Sequence, residues 1–317
     1  MKAAIVFEGG RTPVYGDFVE PQPAPGEARI TVTAAAMSHV VKGRASGAHY
    51  SAAAQFPFVV GIDGVGTPDD GRRVYFLLPR APYGGMAQRA VTPIAHCLPL
   101  PDDLDDATAI ANPAMSSWAA YAELARLQAG ETVLINGAAG AAGRLAVQIA
   151  KHLGARKVIG TARNADAMRD VAALGADVTI PLDEDEAALE DRFKQQFAEG
   201  VDVIVDYLWG KSAERLLIAA AKSGARSAPI RFVQIGSASG ADIALPGAAL
   251  RAAPIMLMGS GIGSVSLEGF MRSIGGLLQA AAPAGFKIVH KTVPLSGVEA
   301  AWPNDDSARR TVFTMAA

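Results

Sequence analysis

Short apolar runs bounded by glycine, proline and aspartate dominate the first hundred residues. Ala3–Phe7, Ala28–Ala34 and Arg73–Leu77 are rich in β-branched or aromatic residues, which predicts strands. Pro21, Pro23 and Pro25 predict an extended connection between the first two. Asp102–Leu127 differs: after Pro99 and Pro101 come acidic residues and then apolar positions at helical spacing. Trp118 and Tyr121 fall on its apolar side and are expected in the core.

From Gly130 the pattern alternates. Thr132–Asn136, Lys157–Thr161, Asp177–Ile180, Val201–Asp206 and Arg231–Ile235 predict strands. Between them, Gly143–Leu153, Ala165–Leu174 and Lys211–Lys222 predict helices. Pro254–Met258 predicts a further strand, Ser266–Ala282 a helix, and Lys287–Thr292 and Thr311–Met315 closing strands. Strands alternating with helices give an α/β class, with a doubly wound parallel sheet behind a β-rich first part.

Composition narrows the function. The 317 residues, half of them hydrophobic and 19% charged, suffice for a large core and for two domains at roughly 150 residues each. A net charge of −2 offers no basic excess for a phosphate backbone, so no nucleic-acid partner is expected. The single cysteine, Cys97, excludes an internal disulfide framework and a four-thiolate zinc site. The most apolar long stretch, Ala244–Val265, is broken by Arg251, prolines and glycines, so no membrane span is expected. The apolar run at the N-terminus is too short for a signal-peptide core, and a cytoplasmic enzyme is the expected class.

The strongest motif is Gly137-Ala138-Ala139-Gly140-Ala141-Ala142-Gly143, which follows a predicted strand and opens a predicted helix. Such a turn lets main chain touch a pyrophosphate while the helix start offers unpaired N–H donors. Gly137, Ala139, Gly140, Ala141, Ala142 and Gly143 are therefore candidate cofactor contacts. The second strand ends Thr161-Ala162-Arg163-Asn164, without the carboxylate that would hold a ribose 2′-hydroxyl. Arg163 can instead pair with a 2′-phosphate, so the expected cofactor is NADPH, with Thr161 and Asn164 beside it. Gly236, after the strand ending at Ile235, and Ser260, in the loop Gly259–Ser264, are further candidates for lining the nicotinamide pocket, and Asn112 is a third.

The segment Gly130–Gly140 continued through Gln148–Ala155 resembles the cofactor-domain opening of medium-chain dehydrogenases/reductases, and more narrowly their quinone oxidoreductase branch. Met1-Lys2-Ala3 resembles the common opening of that family, and Leu174-Gly175-Ala176-Asp177, Val201–Asp206 and Val293-Pro294-Leu295 to Glu299-Ala300-Ala301 resemble its later segments in order. The resemblance implies a GroES-like barrel domain over 1–112 and 264–317, and a Rossmann domain over 113–263. It also implies a cleft active site and a homodimer, with Ile255–Met258 as the candidate pairing strand.

Gly61-Ile62-Asp63-Gly64-Val65-Gly66 stands where zinc-dependent members carry a glycine-histidine-glutamate motif, and Ser38 stands where they carry a cysteine. Serine and isoleucine cannot complete a tetrahedral zinc site, so no metal is expected. Without a Lewis acid, a quinone or enone, whose conjugation spreads the developing charge, is a better acceptor than an alcohol or ketone. Ser46-Gly47-Ala48-His49-Tyr50 resembles the family loop whose tyrosine borders the nicotinamide. Tyr50 is thus a candidate proton donor, with Ser38, His39 and His49 as alternatives. The expected function is an NADPH-dependent oxidoreductase passing hydride to a small quinone, enone or aldehyde. A zinc-type alcohol dehydrogenase, a methyltransferase and a non-catalytic NADPH-binding protein are the competing readings.

Overall fold

The structure is a computed structural model describing residues 1–52, 55–69, 71–105, 115–223, 228–287, 289–306 and 308–315. The chain forms two compact units: Met1–Pro113 with Ile274–Ala317, and Ala114–Ser273.

The second unit is built on a parallel sheet. Its strands are β9 (Thr132–Asn136), β10 (Lys157–Ala162), β11 (Val178–Pro181), β12 (Val203–Asp206), β13 (Ile230–Gln234) and β14 (Ile255–Gly259). The spatial order is β11-β10-β9-β12-β13-β14, with every neighbouring pair parallel. Read within the sheet this is 3-2-1-4-5-6, the doubly wound order whose direction of winding reverses between its first and fourth strands. All five residues of β9 and all four of β12 are buried, as central strands covered on both faces require.

The helices joining these strands are Ala141–His152, Ala165–Ala173, Glu186–Glu199, Gly210–Lys222 and Gly247–Ala252. One face of the sheet packs Leu134, Ile159 and Ile204 against Leu189, Phe193 and Phe197 of the third helix and Leu216 and Leu217 of the fourth. On β10, a Cβ at Gly160 would stand 2.6 Å from the Val171 side chain, so the glycine lets the Ala165–Ala173 helix close onto the sheet. The long helix Glu186–Glu199, absent from the sequence reading, is capped by Asp185, which accepts the N–H groups of Ala187 and Ala188.

Residues 115–119 are helical and run into a π-helical stretch, Ala120–Ala125. Tyr121 is core, its hydroxyl donating to the Ala146 carbonyl at 3.1 Å. Trp118, expected in the core, is only half-buried and lies 5.9 Å from the His152 ring.

The first unit is β-rich. Strands β3 (Glu27–Ala36), β5 (Asp63–Pro68), β6 (Val74–Leu77), β7 (Arg89–Pro93), β8 (Cys97–Pro99), β15 (His290–Pro294) and β16 (Arg310–Thr314) form one sheet. Strands β1 (Lys2–Val6), β2 (Val14–Asp17) and β4 (Phe58–Val59) form a second, antiparallel one. Strand β3 runs two residues past its expected end and pairs with β5, β7 and β16. A core of Ala4, Val6, Met37, Val41, Phe58, Ile62, Leu295, Trp302 and Phe313 draws the C-terminal segment onto the first strands. Helix α1 (His39–Ser46) leads from β3 into the turn that carries His49 and Tyr50. No helix among the described residues is long and apolar enough to cross a membrane.

Candidate active site

At the carboxyl end of β9 the chain turns sharply at Gly137, φ +91°, a conformation that favours glycine. A Cβ at Gly143 would stand 2.2 Å from the Gly137 carbonyl oxygen and 2.7 Å from Ala138 Cα. Main chain packs on main chain here, and no side chain larger than hydrogen fits without opening the loop. The helix beginning at Ala141 has Gly140 as its N-cap, with no side-chain capping bond and no acidic residue in its first turn. The first N–H groups of a helix have no intrahelical partner, so this end offers donors and a positive dipole to an anion.

A buried polar chain fixes the loop. The Gly137 N–H donates to Thr161 Oγ1 at 2.9 Å, and the Ala138 N–H donates to the Thr161 carbonyl at 2.9 Å. The Thr161 hydroxyl donates to Asn136 Oδ1 at 2.9 Å, and Asn136 Nδ2 donates to Asp206 Oδ1 and to Ser212 Oγ, each at 2.8 Å. Asp206 also accepts the N–H groups of Leu208 and Trp209. The carboxyl ends of β10, β9 and β12 are thereby tied side by side. Burial pushes the Asp206 pKa up to about 6, although the N–H groups of Leu208 and Trp209 and the Asn136 amide all pull it down. Arg144 braces the loop from the other side: its Nε donates to the Ala139 carbonyl at 2.8 Å and its guanidinium pairs with Asp170 at 2.8 Å.

The predicted cofactor residues divide by role. Gly137, Ala139, Gly140, Ala141, Ala142 and Gly143 form the loop and the helix start. Thr161 is wholly buried and spends its hydroxyl on the loop, so its visible role is bracing. Arg163 is exposed just past β10, and Asn164 caps the next helix through a 2.9 Å bond from the Ala167 N–H. Gly236 follows β13, where a Cβ would stand 2.7 Å from the Tyr207 carbonyl oxygen. The Ser260 N–H donates to the Gln234 carbonyl at 2.8 Å, just past β14. Asn112 lies outside the described residues.

Tyr207 follows Asp206. Its hydroxyl is 2.7 Å from Ser117 Oγ, and burial pushes its pKa up to about 12. Sequence reasoning passed over Asn136, Asp206, Arg144 and Tyr207. The signal available was polar residues closing otherwise apolar strands, which single-strand patterns do not connect.

In the first unit, Ser38 is buried and caps α1, its Oγ accepting the Val41 N–H at 3.2 Å. His39 opens the helix. Desolvation, then Arg310 and Lys42, hold its pKa below the usual range against the opposing pull of Asp305. His49 is half-buried. Desolvation, then Arg44, lower its pKa, and its Nδ1 lies 2.8 Å from Ser51 Oγ. Tyr50 is 70% exposed, with its ring 4.2 Å from the His49 ring. A tyrosine and a neutral imidazole on one turn can deliver or relay a proton. Among the described residues, no group of three His, Cys, Asp or Glu converges as a metal site. Asp63, beside Ile62, is wholly buried and accepts the Tyr75 hydroxyl at 2.9 Å.

Comparison with known proteins places these features among dehydrogenases. The family described as zinc-binding dehydrogenase matches residues 141–272. The "probable NADPH-dependent quinone reductase" of Emericella nidulans is 30% identical over 342 residues, spanning 93% of this chain and 94% of that protein. The quinone oxidoreductase of Rattus norvegicus is 33% identical over 228 residues, spanning 67% of this chain and 68% of that protein. Among solved structures, the quinone oxidoreductase of Thermus thermophilus, described together with its NADPH complex, superposes with a TM-score of 0.82. It is 26% identical, with 99% of this chain and 100% of that one covered.

Proposed function

The chain belongs to the medium-chain dehydrogenase/reductase superfamily, in its quinone oxidoreductase-like branch, and we propose from that premise that it is an NADPH-dependent reductase of a quinone or an activated, enone-type double bond. The observation that carries the reading is the loop Gly137–Gly143. It is braced by Thr161 and Asn136 and backed by a helix start with no side-chain capping bond and no acid in its first turn. Main-chain packing of Gly143 on Gly137 and Ala138 keeps the turn tight, and a tight turn leading into a free helix start fits a diphosphate.

Residues Ala141, Ala142 and Gly143 would hold the diphosphate through their N–H groups, with Gly137, Ala139 and Gly140 shaping the turn. Arg163 would pair with the 2′-phosphate, next to Asn164, and no carboxylate at the strand tip opposes it. Gly236 and Ser260, past β13 and β14, would border the nicotinamide end, at the carboxyl edge of the sheet where ligands of this fold bind. When bound, the reduced nicotinamide supplies the hydride.

The chain's own chemistry is to stabilise negative charge on the acceptor oxygen and supply a proton. Tyr50 is the proposed donor; its exposed phenol lies against the His49 ring. Ser38 and His39 are the alternatives, though the Ser38 oxygen already accepts the Val41 N–H. Zinc chemistry does not suit these residues: Ser38 and Ile62 stand at the family's ligand positions and Asp63 is bonded to Tyr75.

A second copy of the chain is the proposed partner. Strand β14 ends the parallel sheet, and its Met256 and Leu257 are 48% and 41% exposed. Such an apolar edge strand calls for a partner.

The test is NADPH oxidation, followed by the absorbance of the reduced coenzyme, against a panel of quinones, enones and aldehydes. Turnover of a quinone or enone by protein stripped of metal by a chelator supports the reading. Absence of NADPH uptake by calorimetry would falsify it.

A further inference from the structure

We propose that the β-rich unit carries a carboxylate-binding pocket centred on Arg44, which makes the acceptor a small unsaturated acid; that last clause rests on the reductase reading. Val41 and Arg44, three residues apart on α1, share a helix face and line one hollow together with Phe58, Ile62, Leu78 and Tyr83. Apart from Tyr83 and Arg44 its lining side chains are apolar, and the guanidinium is the cationic group among its lining residues.

Arg44 is half-buried, and desolvation is the influence that moves its pKa, downward, with no acidic neighbour offsetting it. Among the described residues no carboxylate pairs with it, whereas Arg80, Arg144, Arg192, Arg231 and Arg272 each hold one. Its hydrogen bond is a long one, 3.4 Å to Ser51 Oγ. A guanidinium has five N–H donors in a planar fork that matches a carboxylate. A fork left with one weak bond at the wall of an apolar hollow is arranged for an incoming anion.

The surroundings agree in sign. Ser51 Oγ lies 2.8 Å from His49 Nδ1, so the hydroxyl can accept from Arg44 while donating to the ring. Ser51 Oγ is then engaged with the ring, and no carboxylate among the described residues offsets the guanidinium charge. A ligand with a carboxylate head and a short apolar chain matches both the fork and the walls. Ser51 joins the guanidinium to the His49 ring, which lies 4.2 Å from the Tyr50 ring. In the reaction this implies, hydride adds to the β-carbon and a proton to the α-carbon. The carbon–carbon π bond is lost, and NADPH becomes NADP⁺.

Crotonate and crotonamide, alike in shape and different in charge, test the pocket without turnover or coenzyme. Titrations of the full chain should show crotonate binding about tenfold tighter than crotonamide, a preference weakened by salt. The ratio should fall to near one in Arg44→Gln and lie between in Arg44→Lys. If Arg44→Gln does not fold, the Arg44 Nε–H resonance of the unaltered protein decides, shifting with crotonate and not with crotonamide. Equal binding of the two probes, a preference that persists in Arg44→Gln, or an unmoved resonance overturns the proposal. Turnover of a neutral quinone by the unaltered protein reports on the reductase reading alone, so the two failures remain distinguishable.

Discussion

The Asn136 amide donates to the Asp206 carboxylate across 2.8 Å, and both residues are wholly buried at the carboxyl ends of adjacent central strands. Asp206 carries its charge in spite of its surroundings: burial raises its pKa to about 6, while three donors hold the ionised form. In the unfolded chain an aspartate titrates near 3.9. Between those values the folded state binds a proton that the unfolded state has released, so this group's contribution to stability falls as pH rises. The fall amounts to about 3 kcal/mol, complete above pH 6 and absent below about 4. Asp206→Asn removes the titration. Its unfolding free energy should therefore gain on that of the unaltered protein by about that amount between pH 4 and 7. Urea unfolding across this range measures it, and an Asp206 carboxyl resonance with a midpoint near 4 would contradict the assignment.

Gly143 marks the tightest approach of main chain in the loop, where an added Cβ would stand only 2.2 Å from the Gly137 oxygen. Gly143→Ala must open the loop and draw the N–H groups away from the diphosphate. NADPH affinity should fall about tenfold or more, as expected for a loss of about 1.4 kcal/mol. Calorimetry gives the number; unchanged affinity in a folded variant would mean that the coenzyme binds elsewhere.

Much of this arrangement was legible in the chain, and the limits have physical causes. Strand β9 was read to the residue because four consecutive apolar or β-branched positions, Thr132 to Ile135, precede Asn136 and the turn at Gly137. The helix Glu186–Glu199 was not read, because its buried face is thin, chiefly Leu189, Phe193 and Phe197, and lies behind an acidic run that resembles a loop. Strand β15 begins three residues later than expected, at His290. The glycine loop was visible in sequence, since the need for small residues is a local demand. The Asn136–Thr161–Asp206 chain was not, because its members are 25 and 70 residues apart and meet only once the strand order is known. Arg44 gave no signal for a related reason: a solvated arginine and one lining a hollow without a carboxylate partner look alike in sequence.

Arg163 is exposed beyond β10 and makes no contribution to the core. Arg163→Ala should leave stability within about 0.5 kcal/mol. It should lower the preference for NADPH over NADH by about tenfold or more, the worth of a charge-assisted bidentate pair. NADH affinity should be unaffected, since the 2′-hydroxyl of that coenzyme does not need the cation. An unchanged ratio of kcat/KM for the two coenzymes would remove Arg163 from the site.

Ser38 and Tyr50 are both candidates for proton delivery, and their surroundings separate them. Ser38 is buried, with its oxygen accepting the Val41 N–H at 3.2 Å, so Ser38→Ala should cost about 1 kcal/mol of stability as a lost helix cap. Ser38→Thr keeps a capping hydroxyl and should recover most of that loss, and turnover should follow stability in both variants. Tyr50 is 70% exposed, so Tyr50→Phe should leave the unfolding free energy within about 0.5 kcal/mol. If the phenol delivers the proton, kcat falls in Tyr50→Phe at constant KM for NADPH, about a hundredfold for a lost general acid. Turnover that drops in Ser38→Ala by more than its loss of folded protein, returns in Ser38→Thr and persists in Tyr50→Phe would exchange the two assignments.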